Sequence, residues 1–436
     1  MRKFILFISL IFISFSSKTQ SLYFPPTTGS TWDTISPTTL GWCDDRIDSL
    51  YQYLESANSK AFIILKDGKI VLEKYFGTFT KDSVWYWASA GKTITSLMTG
   101  IAQQENFLSI NDTTSNYLGQ GWTDCIQAKE NKITIKNQLT MTSGLDDGVI
   151  DNHCTIDTCL KYKADAGTRW AYHNGPYTLL DDVISSATGQ TLNSYINQKL
   201  KIPTGMNGLF IQPSFDNVFW STPRSMARFG LLILNKGKWN TTPILTDSNY
   251  FNQMVNTSQS LNKSYGYLWW LNGKSSLMVP NSQMVFPTMI CPSAPNDMIA
   301  AIGKNGQLIN VVPSQKLVFI RMGNAADGNE VSFLLNDTIW QKMNRLVCNS
   351  TSTNVIKQEK NIVIYPNPSK EIMTIQYENQ YFDVELFDIV GNKKTSKSSC
   401  YSSDCIQTKD FKNGIYLLRI ISDKKVISHQ KIIISH

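Results

Sequence analysis

Two apolar runs within residues 61–76, AFIILKDGKIVLEKYF, flank Lys66-Asp67-Gly68-Lys69, and the Asp-Gly pair predicts a tight β-hairpin there. From Ser89 to Asn106 the apolar positions Ile94, Leu97, Met98 and Ile101 recur at helical spacing, with Ser89 where an N-cap belongs. Residues 133–145 read as a short helix closed by Gly144, and residues 176–200 and 223–237 carry further helical patterns. From Met298 the texture changes to strands, MIAAIG, QLINVVP and KLVFIRMG, followed by a helical patch from Val331 to Leu346. This order predicts an α/β (α+β) domain in which an antiparallel sheet is flanked by helices and a helical subdomain is inserted. Residues 349–360 are polar and without periodicity, a linker. Beyond them NIVIYPNP, EIMTIQY, YFDVELFDIVGN, GIYLLRIIS and KVISHQKIIIS predict a small C-terminal β-sandwich.

The chain opens Met1-Arg2-Lys3 and then runs almost without a polar residue from Phe4 to Phe15. That form predicts a signal peptide over residues 1–20, cleaved near Ser17–Ser21, and no Cys closes the apolar run to suggest a lipid anchor. No later stretch is long and apolar enough to predict an integral membrane segment after cleavage. The expected organisation is a signal peptide at 1–20, a catalytic-sized domain at 21–348, a linker at 349–360 and the β-sandwich at 361–436. With 42% hydrophobic residues and 11 Trp, the chain can bury a large core.

The net charge of +7 changes little once it is located. Arg2, Lys3 and Lys18 account for three charges, and residues 351–436 carry 12 basic against 9 acidic residues. The body is left with 26 basic against 25 acidic residues, which argues against nucleic acid as a partner. Eight cysteines in an exported chain predict disulfides. Cys154 with Cys159, and Cys400 with Cys405, are each spaced to close a small loop, whereas Cys43, Cys125, Cys291 and Cys348 have no pairing that sequence assigns. No His, Asp or Glu cluster has ligand spacing, so neither metal nor cofactor is expected.

Ser89-Ala90-Gly91-Lys92 is an S-x-x-K element. At a helix start this spacing places both side chains on one face, about a turn apart. A serine hydroxyl needs a base and stabilisation of developing negative charge; a desolvated lysine amine supplies the first and a helix N-terminus the second. Alone the motif is weak, since Ser260…Lys263 and Ser422…Lys425 also match and an N-cap serine is the plainer reading. Tyr172-His173-Asn174 adds a phenol for proton transfer and an amide for a substrate carbonyl. Lys304-Asn305-Gly306-Gln307 adds a cation for a substrate carboxylate and a glycine that lets substrate approach a strand edge. Each is also matched elsewhere, by Tyr250…Asn252 and by Lys412…Gly414.

The three elements in this order resemble the signatures of the class C β-lactamase and penicillin-binding-protein family. ITIKNQLTMTSGL, YTLLDDVISSATGQTLNSYI, STPRSMARFGLLILNKGKW and GKNGQLINVVPSQKLVFIRMG resemble that family's wider landmarks, so the likeness spans about residues 45–346. It implies a β-lactamase/transpeptidase-like fold and an acyl-enzyme hydrolase of an ester or amide. Ser89 would be the nucleophile, Lys92 and Tyr172 the acid–base groups, and Asn174, Lys304, Asn305 and Gly306 the substrate-binding residues. The backbone N–H groups of Ser89 and Gln307 would form the oxyanion hole. Lys304-Asn305-Gly306 departs from the family's Lys-Thr-Gly, which puts recognition of a β-lactam carboxylate in doubt. Met141 stands where many relatives carry His.

The tail resembles the C-terminal sorting domain that certain Bacteroidetes attach to proteins exported across the outer membrane. The likeness rests on Tyr365-Pro366-Asn367-Pro368, Leu386-Phe387-Asp388-Ile389-Val390-Gly391 and Asn413-Gly414-Ile415-Tyr416. It implies a secreted or cell-surface location and secretion machinery as a partner.

Three other readings compete. A Ser-His-Asp hydrolase has only His153, His173, His429 and His436 to draw on and no Gly-x-Ser-x-Gly elbow. A binding or surface protein that has lost turnover would have no need of the Ser, Lys, Tyr and Asn together. A β-lactamase or D-amino-peptidase would use the same residues on a different bond.

Overall fold

In a computed structural model of the chain, residues 21–325, 332–348, 362–388, 392–423 and 425–436 are described. The expected signal peptide and the 349–360 linker lie outside them. The described chain divides into two compact units, one ending at Cys348 and one beginning at Asn349.

In the first unit, helix α1 (Asp44–Ser56) leads into the predicted hairpin, strands β1 (Ser59–Lys66) and β2 (Lys69–Tyr75). Asp67 and Gly68 both take positive φ, 51° and 83°, as a tight turn between twisted strands requires. The rest of the sheet comes from far down the chain: β3 (Trp270–Leu271), β4 (Ile299–Gly303), β5 (Gln307–Val312) and β6 (Leu317–Gly323). The order is β2-β1-β6-β5-β4-β3, antiparallel throughout. Every residue of β4, β5 and β6 is buried, which explains why they read as unbroken apolar runs rather than as alternation.

Helix α2 (Lys92–Gln104) is buried from Lys92 to Ala102 and packs on helix α3 (Asn174–Thr188). Helix α4 (Pro223–Leu234) packs on β1, β5 and β6, closely enough that a Cβ on Gly230 would sit 2.5 Å from Val318 Cγ1. Helix α5 (Phe333–Met343) packs on α1. The helix expected over 133–145 is shorter than its pattern, Ile135–Leu139, held at its start by a reciprocal Thr134–Asn137 cap. The pattern over 176–200 breaks at Gly189, which takes φ 67°, and resumes as a helix over Leu192–Ile196.

Cysteines behave unevenly. Cys154 and Cys159 pair as spacing suggests, and Cys43 pairs with Cys348 across 305 residues, beside a hydrogen bond from Cys43 N to Leu346 O. Cys400 and Cys405 do not close a loop. Both lie on one strand, the first buried and the second exposed, and extended backbone carries them apart.

The second unit is a small all-β body. Strands β7 (Ile362–Tyr365), β8 (Ile372–Asp388), β9 (Lys393–Gln407), β10 (Gly414–Ser422) and β11 (Lys425–Ile434) pair antiparallel, with β8 long enough to serve β7, β9 and β10. Met373, Ile375, Phe382, Leu386, Leu418 and Ile432 form its core.

Candidate active site

Ser89 does not cap a helix. It sits in a 3-10 turn, Ala88–Gly91, immediately before α2. Ala88 takes φ 46°, a left-handed conformation that costs on the order of 1–3 kcal/mol in a non-glycine residue. The turn is held in it by Trp87, which is fully buried against Phe219 and Phe229. Trp87 Nε1 donates to Ser221 Oγ at 2.8 Å, and Trp87 N donates to Phe219 O at 2.8 Å.

Lys92, one turn on, is 5% exposed, and its Nζ lies 3.1 Å from Ser89 Oγ. The amine also lies 4.1 Å from the Tyr177 ring centroid and 5.3 Å from that of Tyr172. Burial pushes it down to about 7, against the pull of Asp216 and Asp181. Asp181 is buried, is pushed up to about 7 by that burial, and accepts from Asn217 Nδ2 at 2.6 Å and Thr95 Oγ1 at 3.0 Å. Tyr172 is equally enclosed. Its ring stacks on Trp270 at 6.0 Å and 15°, and burial pushes its phenol up to about 12 while Ser89 acts in the opposite sense.

Ser89, Tyr172, Asn174 and Lys304 all line a cavity of about 450 Å³. Sequence elements drawn from most of the chain therefore meet in one place. Lys304 reaches it from the 3-10 turn Lys304–Gly306 that joins β4 to β5.

Four predicted residues do not line the cavity: Lys92, buried beside Ser89, and the three that follow Lys304. Asn305 takes φ 63° and its Nδ2 donates to Tyr86 Oη at 2.6 Å. Gly306 takes φ 72° and is pressed on Arg321, whose Nη1 donates to the Gly306 carbonyl at 2.8 Å. Gln307 is on the return strand, paired with Gly303, fully buried, with Nε2 donating to Gly323 O at 2.7 Å. The backbone that does approach is Gly303: a Cβ there would collide with the Trp87 carbonyl and come within 2.9 Å of Ala90 N.

His173, between Tyr172 and Asn174, is 2% exposed, and burial pushes it down to about 4. The imidazole that lines the cavity is His153, which no motif marks, together with Asn152, Asp151 and Asp216. His153 Nδ1 is hydrogen-bonded to Asp216 Oδ1. The segment is fixed beside α3 by Gly175 N donating to Asn152 O at 2.8 Å, next to the Cys154–Cys159 bridge.

Comparison with known proteins agrees with this architecture. Residues 50–343 match the beta-lactamase family model, and residues 363–435 match the secretion system C-terminal sorting domain. An uncharacterised protein of Alkalihalophilus pseudofirmus is 24% identical over 311 residues, 62% of this chain and 85% of that protein. Among solved structures, a Bacillus anthracis protein provisionally described as a 6-aminohexanoate-dimer hydrolase aligns over 72% of this chain and 87% of its own, with TM-score 0.54 and 17% identity. A mutant class C β-lactamase aligns over 69% of this chain and 96% of its own, with TM-score 0.51 and 17% identity. At those identities the structures share the fold. The family match covers the greater part of the chain, which belongs to the beta-lactamase family and carries a secretion-system sorting domain at its C-terminal end.

Proposed function

We propose that this protein is an exported serine hydrolase that cleaves an ester or amide bond through an acyl-enzyme on Ser89. The observation that carries the reading is the buried Lys92 amine, 3.1 Å from Ser89 Oγ and depressed to about 7. Near neutral pH a large fraction of such an amine is unprotonated and able to take the serine proton as Oγ attacks the carbonyl. Tyr172, pushed up to about 12, stays protonated and is suited to hand a proton to the leaving group. The negative charge on the tetrahedral intermediate falls between the Ser89 turn and the Gly303-Lys304 backbone, whose N–H groups are the candidate oxyanion donors in place of Gln307. Water then attacks the acyl-enzyme with the same lysine and tyrosine reversing roles.

The test is covalent. A fluorophosphonate probe is expected to label the full-length protein at Ser89, with labelling abolished in Ser89→Ala. Labelling that persists in that variant refutes the nucleophile. A protein that labels but turns over no ester, amide, D-peptide or chromogenic cephalosporin would instead be a binding protein. The C-terminal unit is proposed to direct passage across the outer membrane by engaging secretion machinery, leaving the hydrolase at the surface or outside the cell.

A further inference from the structure

Strands β4, β5 and β6 are buried along their whole length, and Arg321 in β6 is their only charged residue. It is fully buried, and no carboxylate pairs with it among the described residues. Burial pushes it down to about 10, which leaves it a cation at neutral pH. A charge taken out of water without a counter-ion is costly unless hydrogen bonds replace the water, and here they do. Each N–H of the guanidinium has an acceptor. Nε donates to Ser59 Oγ at 2.8 Å, and Nη1 donates to the carbonyls of Asn305 at 3.0 Å and Gly306 at 2.8 Å. Nη2 donates to the carbonyls of Ala57 and Asn324.

These acceptors fall into two groups. Asn305 and Gly306 belong to the turn that brings Lys304 to the cavity. Ala57 caps α1, Ser59 opens β1 and Asn324 follows β6, all outside the cavity lining. With φ of 63° and 72°, the Asn305-Gly306 pair sets the shape of the turn by local chemistry. Local chemistry does not set where that turn sits relative to Ser89. The guanidinium does, because the same rigid fork that grips the turn also grips the start of the sheet. Two glycines leave room for it: a Cβ on Gly306 would lie 2.5 Å from Nη1, and one on Gly323 would lie 2.6 Å from Nη2.

We propose that Arg321 is a positioning residue for hydrolysis: its guanidinium fastens the Lys304–Gly306 turn to the α1–β1 junction and thereby holds the Lys304 side chain at the cavity that Ser89 lines. The proposal rests on the Ser89 reading and adds to it a residue that touches no substrate. Lysine cannot stand in for this arginine, since an ammonium has fewer donors and no fixed fork with which to hold both turn carbonyls and the frame.

The test is a double-mutant cycle on the full-length protein, with nitrophenyl acetate as substrate and active sites counted by fluorophosphonate labelling. Arg321→Lys should lower kcat/KM per labelled site by about 10-fold or more, since a displacement of about 1 Å in a substrate-orienting group can cost about 100-fold. In a Lys304→Ala background the same substitution should cost less than about twofold, because no side chain is left to aim. An arginine that only supported the fold would lower the yield of labelled sites and cost the same factor in both backgrounds. Because Arg321→Lys can fail to fold, Ser59→Ala is the second variant. It removes only the Nε acceptor, lets the fork shift, and should lower kcat/KM about threefold with Lys304 present and not in Lys304→Ala. Equal losses in the two backgrounds, or no loss from whichever variant folds, overturn the proposal with Ser89-dependent turnover intact. Turnover that survives Ser89→Ala removes the nucleophile instead, and this proposal with it.

Discussion

Replacing Lys92 by methionine should make the protein more stable and less active at once, with both effects depending on pH. Holding the amine at about 7 instead of its ordinary 10.5 corresponds to about 5 kcal/mol against the ammonium in the folded state. Part of that is offset in the wild type by contact of the amine with the Tyr177 and Tyr172 rings, about 1–2 kcal/mol, and by the hydrogen bond to Ser89, about 1 kcal/mol. Methionine fills the same volume without charge, so Lys92→Met should gain about 2 kcal/mol at pH 6, the remainder of those terms. The sign with pH follows from the depressed amine. Below about 7 the folded state carries the whole burden; between about 7 and 10.5 the unfolded chain binds a proton that the folded one does not, and wild-type stability rises. By pH 9 that rise is about 3 kcal/mol, so the advantage of the variant should be gone.

Denaturation of the full-length chain followed by tryptophan fluorescence reads this directly, because all 11 Trp lie before residue 349 and report the first unit alone. In the same pH series wild-type kcat/KM for a chromogenic ester should fall about tenfold per pH unit below about 7, where the amine becomes protonated. Asp181 is also poised at about 7, so Asp181→Asn is the control. It removes a carboxylate that raises the amine, and the limb should move to lower pH and survive. A Lys92→Met protein less stable than wild type at pH 6 refutes the burden, and a rate profile flat from pH 5.5 to 8.5 refutes the base.

Gly303→Ala should abolish acylation with little effect on secondary structure. Its methyl group would strike the Trp87 carbonyl beside Ser89, and stopped-flow probe labelling should slow by about 100-fold or more, as for loss of an oxyanion donor. A labelling rate within twofold of wild type would remove the Gly303-Lys304 backbone from the site. Deleting residues 349–436 should leave hydrolysis unchanged and keep the product from the cell surface, read by surface proteolysis and fractionation. Normal delivery of the truncated chain would refute the sorting role.

The placing of Ser89 with Lys92, and of Tyr172 with Asn174, was legible because each pair sits on one continuous backbone feature. Ser89 and Lys92 span a single turn, and Tyr172 and Asn174 lie on either side of a helix start, so short spacing carries their geometry. The strand motif was legible only in part, for a physical reason: residues 303–307 reverse direction. In a reversal, which side chains face the site is decided by backbone φ at Asn305 and Gly306 and by what lies behind them, here Tyr86 and Arg321. Arg321 comes from the next strand, and no local pattern announces that it will hold that turn. The same holds more strongly for Asn152, His153 and Asp216, which no spacing links to Asn174 or to one another, and for Cys43 with Cys348. Sequence motifs therefore brought Ser89, Lys92, Tyr172 and Asn174 into view, whereas the hydrogen bonds in the wall around them join distant loops. That division explains why short-range spacing was readable before the fold and the wall of the cavity was not.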